Sequence, residues 1–379
     1  MSDLDDDELR DLRLTARGFF AKYSGEEAVR AAMDSDDGFD RTLWTAMADQ
    51  LGLVGLLVPE NFGGTGFGFK HLQIVMEEMG RALVCAPYLS TAVLAVSALL
   101  ASGDDERCAQ LLPRIADGSS IAAVAFTDRR GRWVACGDDV RARANGAGWT
   151  AGWTAGWTLT GARPYVLDGA AADLVLVAAA TDDGPGLFAV DAAAGGYTAT
   201  PVQTLDLTRR QANVTFEHTD ATVIGTIGAA EEYLNHAVNA ALAALTAEQV
   251  GGARRLLEMS VEYAQVREQF GRPIGSFQAI KHKCADMLVE VESSTSAAYA
   301  ACAAIEEGSE ETALLCSLAK AYCSEAYCHV AAENIQVHGG IGFTWEHPAH
   351  LYFRRAKSSE MLLGTPAYHR ERVLKELGL

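Results

Sequence analysis

Between Tyr263 and Met287 the chain reads YAQVREQFGRPIGSFQAIKHKCADM. This stretch holds Arg267, Gln269, Phe270, Gly271, Arg272, Pro273, Gly275 and Gln278. Two guanidinium groups, two amides and an aromatic ring, gathered at glycines and a proline, can hold a large anionic, partly aromatic ligand. A guanidinium fork pairs with a pyrophosphate, amides bond sugar or base edges, and an aromatic side chain lies against a ring. The same residues also suit a plain helix–loop–helix corner, since Gly and Pro punctuate helices.

Two further segments change the balance. One is Gln336-Val337-His338-Gly339-Gly340-Ile341-Gly342-Phe343-Thr344, followed by Tyr352-Phe353-Arg354-Arg355-Ala356-Lys357. The other is Val58-Pro59-Glu60-Asn61-Phe62-Gly63-Gly64-Thr65-Gly66. With R-x-Q-F-G-x-P-[IL]-x-x-x-Q-x-[IV] at Arg267, these segments resemble the signatures of the acyl-CoA dehydrogenase family of flavoproteins. A lone G-G-x-G would carry little weight, but here three motifs stand in the family's order over nearly the whole chain.

The resemblance implies a reaction in which an α-proton leaves an acyl-CoA thioester and a β-hydride passes to FAD. Such a site must polarise the thioester carbonyl and place a carboxylate base beside the α-carbon. The family's usual base, a Glu directly before Gly-Thr, falls here on Leu363, ahead of Gly364-Thr365. The alternative position on the long helix falls on Ala241. Neither residue can accept a proton. The nearest carboxylates are Glu360, three residues before Leu363, and Glu248, two helical turns beyond Ala241. The family's T-E-P-x-A-G-S-D is replaced by Thr127-Asp128-Arg129-Arg130-Gly131-Arg132-Trp133. Its W-[IV]-[TS]-[NG], which lies against the isoalloxazine, reads Tyr165-Val166-Leu167-Asp168.

What is kept sorts differently. In homo-oligomeric relatives the ADP half of each FAD is held largely by a neighbouring subunit. The matching positions are Arg267, Gln269, Phe270, Gln336, Val337, Gly339 and Gly340, and Gln278 and Thr365 also fall on flavin-contact positions. Ala367 stands where a Gln is usual. A chain that keeps what it gives to its neighbour and lacks what it would use itself resembles the non-catalytic subunit of actinobacterial α2β2 acyl-CoA dehydrogenases. Several of those act on CoA thioesters of sterol side chains. The resemblance implies FAD shared across a subunit interface, a second acyl-CoA dehydrogenase-like chain carrying the catalytic Glu, acyl-CoA at that partner's site, and an electron-transferring flavoprotein as acceptor. Two other readings stay open: a self-sufficient enzyme with its base relocated to Glu248 or Glu360, and a flavin-free binding or structural protein.

The elements that must position these residues follow from periodicity. Residues 1–120 read as helices, with Leu43, Met47 and Leu51 at four-residue spacing. Pro113 is expected to bend or end the helix over Asp104 to Ala116. Residues 121–225 read as a β-domain, with strands expected at Ile121–Phe126, Trp157–Thr160, Leu174–Val177, Gly186–Val190 and Val214–Phe216. Residues 226–379 read as a helical bundle, with helices over Glu231–Val266, Gln278–Glu306, Glu311–Asn334 and Pro366–Leu377. The resemblance implies a mainly α, α+β multidomain chain: an N-terminal helical domain, a middle β-domain and a C-terminal four-helix bundle. A four-residue repeat from Trp149 to Thr158 reads as an expanded hairpin loop.

The formal net charge of −19 over 379 residues argues against nucleic acid and anionic membrane surfaces as partners. The eight cysteines form no C-x-x-C pair and suit buried positions in a reducing compartment. The acidic start MSDLDDDELRDL carries no signal-peptide pattern, no stretch has the length of a membrane span, and a cytoplasmic location is expected. His282 and Asp286 lie one helical turn apart without a third ligand nearby, so no metal is expected.

Overall fold

A computed structural model describes residues 3–128, 139–145, 149–150, 153–154 and 156–379. The replaced motif at Arg129 to Trp133, and much of the Trp-Thr-Ala-Gly repeat, lie outside the described residues. The N-terminal helices are α1 (Asp3–Tyr23), α2 (Glu26–Asp34), α3 (Arg41–Asp49) and α4 (Phe69–Arg81). A π-helical run over Leu89–Ala95 leads into α5 (Val96–Ala101), and α6 covers Asp105–Ala116. The long helices are α7 (Ala230–Val266), α8 (Gln278–Glu306) and α9 (Thr312–His338); α10 (Ala349–Met361) and α11 (Pro366–Glu376) close the chain. No helix among the described residues is long and apolar enough to cross a membrane.

Contacts divide the chain into two compact units. The first gathers residues 1–31, 69–84 and 242–379; the second gathers 32–68 and 85–241.

The second unit is built on a sheet. Its strands are β1 (Ala122–Ala125), β2 (Val140–Ala144), β5 (Trp157–Leu167), β6 (Leu174–Thr181), β7 (Gly184–Asp191), β8 (Tyr197–Pro201) and β9 (Gln211–Ile224). The order is β1-β6-β2-β5-β9-β7, with β8 on β9, and β7 pairs back onto β6. Strands β6, β2, β5, β9 and β7 therefore form a closed ring, to which β1 and β8 add on β6 and β9. Val140, Leu159, Val177, Phe188, Val214 and Phe216 fill its core. Two short strands, β3 (Trp149–Thr150) and β4 (Trp153–Thr154), pair antiparallel within the repeat. Each expected strand is found, usually longer than expected. Strands β2 and β8 were not anticipated, because Val-Arg-Ala-Arg-Ala and Tyr-Thr-Ala-Thr-Pro hold too few large apolar residues to signal a strand. Pro113 does not end α6, which runs on to Ala116 and is started by Asp104, whose carboxylate accepts from Arg107 N at 3.1 Å.

The first unit is organised around α7. Every residue from Ala240 to Ala253 is buried, as expected of a helix that is small and apolar on all sides. Helices α4 and α7 cross at backbone contact. A Cβ on Gly251 would overlap the Glu77 carbonyl, and one on Gly80 would overlap the Glu248 carbonyl. On the next face, a Cβ on Gly252 would lie 2.5 Å from the Tyr327 hydroxyl of α9. The crossing carries two buried carboxylates. Arg13 donates to Glu77 at 2.6 Å and to Glu78 at 3.2 Å, Arg17 donates to Glu78 at 2.8 and 2.9 Å, and Arg254 lies 3.3 Å from Glu77.

Gly251→Ala is expected to force these helices apart and cost about 2–3 kcal/mol, in the range of an overpacked core. Gly18 lies in α1 with nothing near a would-be Cβ, so Gly18→Ala should stabilise by roughly 0.5–1 kcal/mol. Urea unfolding midpoints of the two variants should move in opposite directions.

Candidate functional site

The segment after α7 forms a tight two-stranded hairpin. β10 (Glu268–Gln269) pairs antiparallel with β11 (Arg272–Pro273). Phe270 (φ 55°) and Gly271 (φ 75°) turn the corner, both in the left-handed region. Two positive φ angles define the type I′ turn, in which a glycine is at ease and a phenylalanine is strained by of order 1 kcal/mol or more. The Phe270 ring is 91% exposed, edge-on to Phe277 at 6.1 Å between ring centres. The hairpin is fastened to the start of α8, where the Arg272 guanidinium lies 4.2 Å from the centre of the Phe277 ring.

Tyr263, one turn before Arg267, stacks on His338 at 4.4 Å. This joins the hairpin segment to the end of α9. Asn334 donates to Leu256 O and Ser260 Oγ, both at 2.8 Å, and its own carbonyl meets His338 Nδ1 at 2.8 Å. Burial pushes the His338 imidazole below its ordinary pKa, against the opposing effect of that backbone bond. His338 is thus a packing group. Beyond it, Gly339 takes φ 64°, and no atom stands within 4 Å of a would-be Cβ at Gly339 or Gly340.

The expected ligand residues differ in what they present. Arg267, Gln269, Gln278 and Gln336 are exposed, and their side chains make no hydrogen bond or ion pair among the described residues. Val337 is buried and offers a ligand only its backbone. Thr365 caps α11, its hydroxyl accepting from Tyr368 N at 3.3 Å, which leaves its own proton available. A pyrophosphate-bearing group fits this set: an unpaired guanidinium, three unpaired amides, an aromatic ring held in solvent, and two glycines open to close approach.

The base positions are the opposite. Ala241 is fully buried. Leu363 is 1% exposed and left-handed at φ 60°. Its loop is held from beneath by Lys320, which is completely buried. The Lys320 ammonium donates to Ser324 Oγ at 2.9 Å, Gly364 O at 3.0 Å and Glu360 O at 3.1 Å, filling all three donor positions. Burial pushes its pKa down to about 7. On the other side His369 Nε2 bonds Leu363 O at 2.8 Å. The Glu360 carboxylate pairs with Lys357 at 3.0 Å. Glu248 is buried and pairs with Arg355 at 2.8 Å, while Arg355 also donates to Val84 O at 3.2 Å. Both carboxylates are therefore committed to cations.

In the second unit, Thr127 Oγ1 donates to Pro164 O, and Arg163, wholly buried, donates to Thr127 O at 3.2 Å and Ala178 O at 2.6 Å. β5 bulges between Arg163 and Val166, and Tyr165 and Asp168 are left-handed at φ 55° and 53°. Ser90 donates to Asp168 at 2.6 Å. Leu167 is buried. Lys320 and Arg163 were not anticipated. For Lys320 a signal exists, since Ser317, Lys320 and Ser324 share one face of a helix whose first half is otherwise mostly small and apolar. Arg163 leaves no trace in a strand pattern.

Long helices together with a closed β-ring are the fold of a flavoprotein-type oxidoreductase. The chain belongs to the acyl-CoA dehydrogenase family: the family's N-terminal domain matches residues 6–119 and its C-terminal domain residues 231–378. It is 38% identical to the acyl-CoA dehydrogenase IpdE2 of Mycobacterium tuberculosis, over 94% of this chain and 92% of that protein. It superposes on a variant of the Tcur3481–Tcur3483 steroid ACAD with a TM-score of 0.87 and 32% identity, covering 98% of each chain. The ChsE4–ChsE5 complex from Mycobacterium tuberculosis gives 0.85 and 30%, covering 98% of this chain and 97% of that one. The expected order of helices, β-domain and helices is the family's own.

Burial holds His369 down at about 4 in the folded chain, against about 6.5 when unfolded. Between those values the unfolded chain binds the extra proton. The stabilisation is complete above about pH 6.5 and is lost as pH falls toward about 4, on the order of 3 kcal/mol in all. His369→Gln keeps a donor for Leu363 O and should flatten this part of the stability profile, read as unfolding midpoints from pH 4 to 7.

Proposed function

We propose that this chain is one subunit of a heteromeric FAD-dependent acyl-CoA dehydrogenase and supplies the ADP-side contacts for FAD bound across the interface with a partner that carries the catalytic Glu. One contrast supports this reading. The polar side chains at the ADP-side positions are exposed and unpaired, whereas both base positions are apolar and buried. Arg267 would pair with the pyrophosphate, Gln269, Gln278 and Gln336 would bond polar edges, and Gly339 and Gly340 would admit close approach. When bound, FAD supplies the hydride acceptor for α,β-dehydrogenation. This chain binds and orients; the proton is removed by the partner subunit.

The steroid ACAD and the two-component ChsE4–ChsE5 complex among the similar structures favour an α2β2 assembly acting on a CoA thioester of a sterol side chain. Electrons would leave through an electron-transferring flavoprotein. The seven described cysteines are free thiols, which suits a reducing cytoplasm.

Purified alone, the chain is expected to hold no stoichiometric flavin and to show no acyl-CoA dehydrogenation. Co-expressed with its partner, it should yield one flavin per pair of unlike chains, with activity. One flavin per chain and turnover by this chain alone would overturn the proposal. In the assembled enzyme, Arg267→Ala should weaken flavin retention by about tenfold to a hundredfold, the effect of one charge-assisted contact. Flavin loss on dilution measures it, and unchanged retention would remove Arg267 from the site.

A further inference from the structure

A cavity of about 350 Å³ opens in the first unit, among α1, the start of α2, the end of α4, the last third of α7 and the start of α10. It shares no residue with the hairpin, the end of α9 or the Leu363 loop. Its floor is apolar and buried: Phe20, Val29, Leu83, Met259 and Leu351 line it. Tyr352 also lines it, but its hydroxyl is engaged, donating to Arg81 O at 2.6 Å. Ser24 lines it too, its hydroxyl donating to Ala82 O at 3.2 Å, so the buried lining is apolar apart from hydroxyls already engaged.

The rim is charged. Arg17, Arg81 and Arg255 line it, with Glu26 and Glu78. Glu78 is shared by Arg13 and Arg17. Glu258, next to the cavity, is held by Arg81 at 2.5 and 2.7 Å and approached by Arg255 at 3.4 Å. Glu77 is shared by Arg13 and Arg254. At the cavity itself three guanidinium groups, Arg17, Arg81 and Arg255, stand with the carboxylates of Glu26 and Glu78. Glu26 (paired with Arg30) and Glu262 are largely in water. In a chain of net charge −19, three arginines gathered above an apolar floor are a local concentration of cationic groups. Arg255 is the least committed cation of the three, as its hydrogen bonds to Glu258 and Glu262 all run through Nη1 and are 3.3 Å or longer.

We propose that this cavity is a binding site for a small amphipathic monoanion, a carboxylate or sulfonate with an apolar body, with its head at Arg255 and its body on the floor beside Met259 and Leu351. The volume lies at the small end of ligand pockets. It suits a medium-length acyl chain or a few fused rings and is too small for a nucleotide.

Calorimetric titration of the full-length chain with decanoate, and with 1-decanol as the uncharged counterpart, tests this. Decanoate should bind saturably at one per chain and more tightly than 1-decanol, with an affinity that falls as salt is raised. Arg255→Gln should weaken decanoate about tenfold or more and leave 1-decanol unchanged. Ala21 lines the mouth from an exposed position, so Ala21→Trp should block both probes without disturbing the core. Arg267→Ala should bind as the unsubstituted chain does. Absence of saturable binding, equal binding of the two probes, or unchanged decanoate binding in both cavity variants would overturn the proposal.

Discussion

The first unit depends on one close approach. Where α4 crosses α7, Gly80 and Gly251 each face a carbonyl of the other helix with no room for a Cβ. Backbones this close leave no volume for a conventional apolar seam. The two helices are instead secured at their flanks by Glu77 and Glu78, which are buried and matched to arginines from α1 and α7. Removing one partner of such a pair would strand a charge out of water, which is strongly unfavourable. The crossing thus fixes a distance, and the ion pairs fix the angle and register at that distance.

The same economy of polar groups distinguishes the two ends of the candidate site. Around Leu363, every nearby charge already has a protein partner. Lys320 holds carbonyls, Glu360 holds Lys357, and Glu248 holds Arg355. Around the hairpin, comparable groups have none. An exposed guanidinium without a partner is ordinary by itself. Four polar side chains in that condition, beside a left-handed aromatic turn and two uncrowded glycines, are what the proposed FAD contact would draw on.

Much of this was legible in the sequence. The long helices announce themselves through length and small apolar residues, and α8 begins at Gln278 and ends at Glu306 as expected. The hairpin segment and the Gln336 segment stand out because, with the Val58 segment, they resemble the family's motifs in the family's order; their residue types alone also suit a plain helix–loop–helix corner. What could not be read is what tertiary packing decides. Arg163 sits inside a closed sheet because carbonyls from two neighbouring segments meet it there, which strand periodicity does not encode. Pro113 is carried by a helix whose last turn tolerates it. β2 and β8 exist because β5 and β9 offer edges, and not because their own residues demand a strand. The left-handed backbone at Leu363 is imposed by the partners of its neighbours.

That loop has a wider implication. The bonds that shape it run from the Lys320 ammonium and the His369 imidazole to main-chain oxygens of Glu360, Leu363 and Gly364. None of them involves the side chain at 363. The frame and the residue it displays are therefore separable: the chemistry shown at that point can be exchanged while the scaffold beneath it keeps its form.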